Sequence, residues 1–142
     1  MTKVSLNIDV DDLEKGVAFY AAAVGLVPVH RLGDFAVEMS GAQAPVFLLQ
    51  KSPATPAFPG ATVGRDYARH WTPVHLDFLV DEIEGALGRA VNAGACAESP
   101  IETYPWGRMA LLADPFGNGF CLIQLDAAEY AAIATPYDRQ AG

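Results

Sequence analysis

The stretch 4–26, VSLNIDVDDLEKGVAFYAAAVGL, recurs seventy positions later as 74–96, VHLDFLVDEIEGALGRAVNAGAC. Six positions are identical in the two copies, Leu6 and Leu76 among them. Each copy starts with alternating apolar residues, passes through an acidic turn and ends with apolar residues at helical spacing. This pattern predicts a strand followed by an amphipathic helix. Its recurrence predicts that the chain consists of two similar halves.

The first half, 4–50, is called module one. Its opening strand, 4–10, has one apolar face and one polar face, because side chains alternate along a strand. The helix that follows has an apolar stripe of Leu13, Val17, Tyr20, Ala21 and Val24, and Gly25 is a suitable residue to end it. Turn-rich segments then separate three short predicted strands, at 27–31, 35–39 and 46–50.

The segment 51–73 is predicted to link the two halves. Its four prolines and two glycines exclude regular structure from most of it. An aromatic and basic group, called the linker cluster, lies near its end: Arg65, Tyr67, Arg69, His70 and Trp71. Long loops often cover binding sites. The linker cluster therefore either covers a site or packs against the second half.

The second half, 74–125, is called module two and repeats the order of elements. A strand is predicted at 74–80, a helix from 81 to about 92, and further strands at 97–103, 108–113 and 120–124. The sequence DPFGN at 114–118 has the residues that a hairpin turn requires. A short helix and a frayed end are expected in the tail, 126–142. We expect a single α+β domain spanning 1–142.

Composition limits the classes of function. The 142 residues carry a formal charge of −8, with 9 basic and 17 acidic residues and no basic stretch, so nucleic acid is not an expected partner. No apolar run approaches the length of a membrane span. We therefore expect a soluble, cytoplasmic protein with no membrane partner. Two cysteines, Cys96 and Cys121, are too few for a disulfide framework, and reduced thiols are the default, although a bridge between them is not excluded.

The paired modules, with DLEKGVAFY in the first and HLDFLVDEIEGAL and ADPFGNGFCLIQ in the second, resemble the vicinal oxygen chelate superfamily. That group includes glyoxalase I, extradiol dioxygenases and bleomycin-resistance proteins. The resemblance covers residues 4–125. It implies two tandem β-α-β-β-β modules related by a pseudo-twofold axis, whose strands form a curved, open, eight-stranded cup with the helices outside. It also implies a homodimer.

Metal-dependent members of this superfamily take two ligands from each module. The resemblance assigns those four positions to Ser5, Phe47, His75 and Cys121. Phe47 has no donor atom, Ser5 is a poor ligand, and a cysteine replaces the usual glutamate at 121. We therefore expect that the usual metal site is absent and that no cofactor is bound.

Two of those positions, His75 and Cys121, carry side chains that are able to bind a metal or to act in catalysis. One interpretation is a soft zinc site or a thiolate activated by histidine, with Asp77 assisting from the same strand face. The other is that His75 forms a hydrogen bond inside a pocket and that Cys121 is an apolar filler. If the protein is an enzyme, the catalytic candidates are His75, Asp77 and Cys121.

Polar residues on the first strands predict where a ligand binds. The floor of the cup is expected to carry Ser5, Asn7, Asp9, His75 and Asp77, with Phe47 and Cys121 on neighbouring strands. An alternative is that Asp9 and Asp77 are simply solvated. The rim is expected to carry Tyr104, Trp106 and Arg108, because an aromatic pair beside a guanidinium often stacks on ligands. Trp106 alternatively plugs a hairpin edge or a subunit contact.

Three functions remain open. The first is a metal-free protein of the bleomycin-resistance type that binds a small cationic or aromatic molecule, to sequester it rather than transform it, since net acidity attracts cations. The second is a lyase, isomerase or dioxygenase with a site centred on His75. The third is an interaction module whose cup is filled by its own side chains.

Overall fold

The computed structural model describes residues 1–137. In module one, a strand and a helix precede three strands: β1 (Leu6–Val10), α1 (Leu13–Val24), β2 (Val27–Leu32), β3 (Ala36–Ser40) and β4 (Val46–Gln50). The order of these strands in the sheet is β1-β4-β3-β2. β1 and β4 are parallel, whereas the other neighbours are antiparallel.

Module two has the same opening and one more strand. Its elements are β5 (Leu76–Leu79), α2 (Ile83–Ala93), β6 (Cys96–Ala97), β7 (Glu102–Tyr104), β8 (Gly107–Ala113) and β9 (Gly119–Leu125). The strand order is β5-β9-β8-β6, with β7 also paired to β8. A short helix, α3 (Ala127–Ile133), follows. The last five residues of the predicted tail, 138–142, lie outside the described residues.

The predicted α+β class is confirmed, but two details of the strands differ from the prediction. The expected strand at 97–103 is divided into β6 and β7, because Pro100 between them has no backbone N–H to donate to a neighbouring strand. Within residues 1–137 the strands form two sheets instead of one continuous sheet of eight. β1 and β5 are each an edge strand of their own sheet, and each pairs only within its own module.

The helices α1 and α2 begin in the same way. The side chain of Gln50, at the end of β4, accepts a hydrogen bond from the backbone N–H of Leu13 at 3.0 Å. Gln124, near the end of β9, accepts one from Ile83 at the same distance. Each bond satisfies an N–H of the first helical turn that has no partner within the helix. The last strand of each module therefore fixes where its helix starts.

The carboxylates of Asp12 and Glu82 cap these helices by accepting bonds from first-turn N–H groups. At the other end of α1, Gly25 has a left-handed backbone with φ of 74°, which glycine adopts without steric cost. The predicted end of this helix is therefore confirmed.

One apolar core includes residues of both modules. The helices α1 and α2 pack against each other, and each also packs on its own sheet. The ring of Phe19 on α1 meets that of Phe120 on β9 edge to face, with centroids 6.3 Å apart. Val10, Leu48, Ile83, Leu112 and Leu122 are fully buried. Among residues 1–137, no helix has both the length and the apolar character needed to cross a bilayer.

Candidate functional site

A cavity of about 720 Å³ lies between the two modules. Its walls come from β1, from the linker, and from the start of β5 and of β9. The lining residues are Leu6, Asn7, Ile8, Asp9, Tyr20, Ala57, Gly64, Arg65, Asp66, Tyr67, His70, Thr72, Val74, His75, Leu76, Asn118, Gly119 and Phe120. Its volume is within the range of about 300 to 1,000 Å³ that is usual for small-molecule sites.

The linker closes one side of this cavity and is fixed to module one by Arg65. The Nε of Arg65 donates to Oδ2 of Asp9 at 2.7 Å, and its Nη1 donates to the carbonyl of Pro56 at 2.7 Å. Only 16% of the Arg65 side chain is exposed, against 38% for Asp9. The carboxylate that was expected on an acidic floor therefore already has a cationic partner.

Tyr67 fixes the linker at a second point. Its hydroxyl donates to the carbonyl oxygen of Lys51 at 2.6 Å. Burial raises the pKa of Tyr67, and the nearby charge of Asp9 raises it further. The phenol therefore stays neutral and keeps donating its hydrogen bond.

His70 connects the linker to module two. Its backbone N–H donates to the carbonyl of Gly117, and its Nε2 lies 2.9 Å from Oδ1 of Asn118. The Nδ2 of Asn118 in turn donates to Oδ2 of Asp114 at 2.9 Å. Three residues of the linker cluster, Arg65, Tyr67 and His70, thus both line the cavity and hold its wall in place.

The carboxylate of Asp114 lies at the centre of the hydrogen bonds that join the linker to module two, and Asp114 is only 5% exposed. Its Oδ1 accepts from the backbone N–H groups of Phe116 and Asn118, and its Oδ2 accepts from the Tyr20 hydroxyl at 2.5 Å. Burial raises the pKa of Tyr20 well above its usual range, and the charge of Asp114 adds to the effect. A turn of module two is therefore bonded to a helix of module one.

A second group of reactive side chains lies on the face of the second sheet that points away from α2. Asp77 on β5 and Cys121 on β9 are directly opposite each other in the strand pairing, and His75 precedes β5 on the same face. Nε2 of His75 is 3.3 Å from Oδ1 of Asp77. The structure therefore brings together the three residues that were considered as catalytic candidates.

The thiol of Cys121 is a poor nucleophile in this position. Burial raises its pKa to about 11, and the negative charge of Asp77 contributes further. The thiol therefore stays protonated at pH 7. Cys121 is also only 4% exposed, whereas Cys96 is exposed, and both thiols are free.

The four metal positions implied by the resemblance do not form a site. Phe47 on β4 pairs with Asn7 on β1 and has no donor atom, and Ser5 is exposed just before β1. Module one therefore supplies no strong ligand at these two positions, so the four-residue set that the resemblance implies does not fit this chain.

The expected rim residues lie elsewhere. The rings of Tyr104 and Trp106 are stacked with centroids 5.1 Å apart, and Arg108 is paired with Glu84 on α2. Tyr104 and Arg108 line a smaller cavity of about 430 Å³ beside the start of α3. None of the three lines the larger cavity between the modules.

Sequence reasoning overlooked three residues that shape the larger cavity. The sequence places Tyr20 in the apolar stripe of the first helix. Its hydroxyl was the available signal, because a buried tyrosine hydroxyl needs a hydrogen-bond partner. Asp114 and Asn118 were assigned only to a turn. Asp114 accepts four hydrogen bonds, which no sequence pattern indicated.

Comparisons with known proteins bear on this geometry. A model of the glyoxalase-like domain matches residues 5–123. The anthracycline biosynthesis protein DauV of Streptomyces sp. (strain C5) is 32% identical over 123 residues, which are 86% of this chain and 41% of DauV. The chain thus spans less than half the length of that relative.

Solved structures share the fold. TnmS3, an antibiotic binding protein from Streptomyces sp. CB03234, has a TM-score of 0.62 and 24% identity, covering 89% of this chain and 97% of its own. The fosfomycin resistance protein FosX from Listeria monocytogenes has a TM-score of 0.68 and 16% identity, covering 91% and 97%. At these identities the similarity establishes the fold and not the chemistry.

Proposed function

Because this chain belongs to the glyoxalase-like domain family of the vicinal oxygen chelate superfamily, we propose that it binds a small, planar aromatic molecule in the cavity between its modules. The usual two-module metal site takes no part. The observation that carries the proposal is the cavity itself, which has a suitable volume and walls from both modules and the linker.

The lining favours an apolar ligand. Leu6, Ile8, Val74, Leu76 and Phe120 supply hydrocarbon surface to the cavity. The polar groups beside them are largely engaged within the protein, since Arg65 bonds Asp9, and His70 bonds Asn118. Burying a ligand against satisfied polar groups and apolar surface is favourable mainly through the apolar area removed from water.

A cationic ligand is less well supported. Of the two carboxylates expected to attract it, Asp9 is paired with Arg65 at 2.7 Å, and Asp77 is not among the residues that line the cavity. The guanidinium of Arg65 offsets the local negative charge that a cation requires. The net charge of −8 therefore attracts a cation only through long-range electrostatics, which salt screens.

One relative supports an aromatic natural product as the class of ligand, because it is described as an anthracycline biosynthesis protein. A structure of the same fold is described as an antibiotic binding protein, which agrees with a small organic ligand. Anthracyclines contain a planar polycyclic quinone. Both comparisons agree with a cavity that is wide, mostly apolar and closed on one side by a fixed linker.

The test is a titration with 1,4-dihydroxyanthraquinone, followed by its fluorescence. We expect saturable binding that Val74→Trp weakens by about tenfold or more, because Val74 lines the cavity and the indole occupies ligand space. Val63→Trp is the matched control, since Val63 is a similarly exposed linker residue outside the lining. The proposal fails if the quinone does not bind, or if both variants behave alike. Stronger binding of spermidine than of the quinone would favour a cationic ligand instead.

We further propose that the protein is a homodimer. Large apolar side chains are exposed around the cavity and on the second sheet, with Trp71 at 76%, Val74 at 85% and Leu79 at 66%. Monomeric proteins rarely expose apolar patches without a function. Light scattering after gel filtration should give about twice the chain mass of 15.1 kDa. A mass of one chain at about 50 μM protein would contradict this proposal.

A further inference from the structure

Both ring nitrogens of His70 face oxygen atoms that can only accept hydrogen bonds. Nδ1 lies 2.9 Å from the carbonyl oxygen of Ala68, and Nε2 lies 2.9 Å from Oδ1 of Asn118. A neutral imidazole has one N–H to donate, whereas an imidazolium has two. We propose that His70 is a proton-dependent switch on the cavity: as an imidazolium it holds the linker against module two, and loss of its proton loosens that wall. This regulation rests on the proposed function, because the wall acts through the ligand that it covers.

The amide of Asn118 cannot turn to relieve the contact with a neutral ring. Its Nδ2 donates to Oδ2 of Asp114 at 2.9 Å. The reversed amide would place its oxygen at that distance from the carboxylate, and two acceptors repel each other. The backbone carbonyl of Ala68 also has no hydrogen to offer. Neutral His70 therefore keeps only one of its two ring bonds, in either tautomer.

The carboxylate of Asp114 favours a positive charge on His70. It accepts four hydrogen bonds, all from neutral groups. One of them comes from Tyr20, whose phenol stays neutral because burial raises its pKa. Asp114 forms no ion pair among residues 1–137. A charged donor at His70 therefore strengthens the chain of bonds that runs through Asn118 to this buried carboxylate.

The other charged groups beside His70 do not exclude an imidazolium. Nη1 of Arg69 donates to the backbone carbonyl of His70, and this guanidinium opposes a second positive charge. Glu98 offsets it, because both carboxylate oxygens of Glu98 accept from Arg69, at 2.7 and 2.8 Å. The titratable groups that line the cavity with His70 are Asp9, Tyr20, Arg65, Asp66, Tyr67 and His75. Since Asp9 and Arg65 pair with each other, Asp66 and Asp114 leave an excess of negative charge around the ring.

The direction of the pH effect follows from these bonds. Both ring bonds are present at acid pH, and one is lost as the pH rises through the titration of imidazole, roughly between pH 5 and 8. The lost bond either shapes the linker at Ala68 or joins the linker to Asn118. A less ordered wall must be fixed again by each ligand that binds. We expect the quinone to bind about fivefold more tightly at about pH 5.5 than at about pH 8, which is the effect of one hydrogen bond.

Hydrogen exchange of backbone N–H groups tests the wall without any ligand. The N–H of His70 donates to the carbonyl of Gly117 at 3.1 Å and reports on the attachment of the linker. We expect its protection, relative to the intrinsic exchange rate at each pH, to be about fivefold greater at about pH 5.5 than at about pH 8. The N–H of Leu13, which is bonded to Gln50, is the reference and should show no such change. His70→Gln should remove the pH dependence, and it should fold because His70 is only partly buried.

Quinone titrations at the two pH values complete the test. His70→Gln should bind the quinone equally well at both values, and a pH effect that comes from the quinone itself would persist in this variant. His30→Gln is the matched control and should keep the ratio of affinities, because His30 is exposed and paired with Glu38. His75→Gln should also keep the ratio, although His75 lines the cavity.

Three results would overturn the proposed switch. They are a protection of His70 that does not change with pH, a pH dependence that His70→Gln keeps, and equal quinone binding at both pH values. If the protection changes with pH but no quinone binds at either value, the proposed ligand is wrong and the proton-dependent wall stands. Failure of the switch and failure of the proposed function are therefore distinguishable.

Discussion

In both modules the last strand carries a glutamine that holds the first turn of the helix, and in both a carboxylate caps that turn. Gln50 with Leu13 and Gln124 with Ile83 are equivalent contacts of equal length. The modules differ at the hairpin before the last strand. Module one has SGAQAP there, whereas module two has DPFGN, which buries a carboxylate. The repeated glutamine and carboxylate therefore maintain each module, whereas the hairpin that differs joins the two modules.

The same contrast appears on the open faces of the two sheets. The cross-strand pair Asn7 and Phe47 in module one corresponds to Asp77 and Cys121 in module two. The first pair offers one amide and one apolar ring. The second offers two ligand atoms beside His75. Duplication thus kept the backbone pairing of these strands while the side chains diverged toward different roles.

The largest expected effect is the loss of the contact that only module two has. Asp114→Ala removes the acceptor for Tyr20, Phe116 and Asn118, and it leaves the buried donors of Tyr20 and Phe116 without partners. We expect the free energy of unfolding to fall by about 3 kcal/mol. Urea unfolding followed by circular dichroism measures this loss.

Asp34→Ala is the control for that prediction. Asp34 is an exposed aspartate in the turn between β2 and β3 of module one, and its removal should change stability by less than about 0.5 kcal/mol. A loss below about 1 kcal/mol for Asp114→Ala would show that the turn of module two does not fasten the two halves.

A smaller effect tests whether the shared contacts are equivalent. Gln50→Ala and Gln124→Ala each leave one first-turn N–H without its acceptor, at positions of similar partial burial. We expect each change to lower the free energy of unfolding by about 1 kcal/mol, as the loss of a helix cap does. The two values should agree within about 0.5 kcal/mol in urea unfolding. Unequal costs would indicate that one helix is held mainly by other contacts.

The elements of the fold could be predicted because their causes are local. Alternation marked the strands, helical spacing marked the helices, and Gly25 marked a helix end. The division of one strand into β6 and β7 follows from Pro100, a local signal that interrupts the strand that alternation alone predicts.

The site was less predictable, because its contacts join residues that are far apart in the chain. Asp9 pairs with Arg65, 56 positions away, and Tyr20 with Asp114, 94 positions away. Neither partner can be inferred from spacing within one element. His75 and Cys121 could be grouped because the family resemblance assigns both to metal positions, and Asp77 joined them because it lies two residues after His75 on the same strand face.

The smallest expected effect concerns the pair between the linker and module one. We expect a double-mutant cycle of Arg65→Gln and Asp9→Asn to give a coupling energy of about 0.5 to 1 kcal/mol, because Arg65 is mostly shielded from water while Asp9 is more than one-third exposed. The exposed pair of Arg31 and Glu14 is the control, with a coupling of about 0.3 kcal/mol or less.

The value of that coupling also decides between classes of ligand. If Arg65 and Asp9 are coupled, the carboxylate is engaged with the linker, and a cationic ligand would have to displace Arg65 to reach it. That displacement would also release the bonds of Arg65 to Thr55 and Pro56, which hold the wall of the cavity. If the coupling were zero, Asp9 would be free to bind a cation at no cost to the linker. A measurable coupling between Arg65 and Asp9 therefore favours an aromatic ligand over a cationic one.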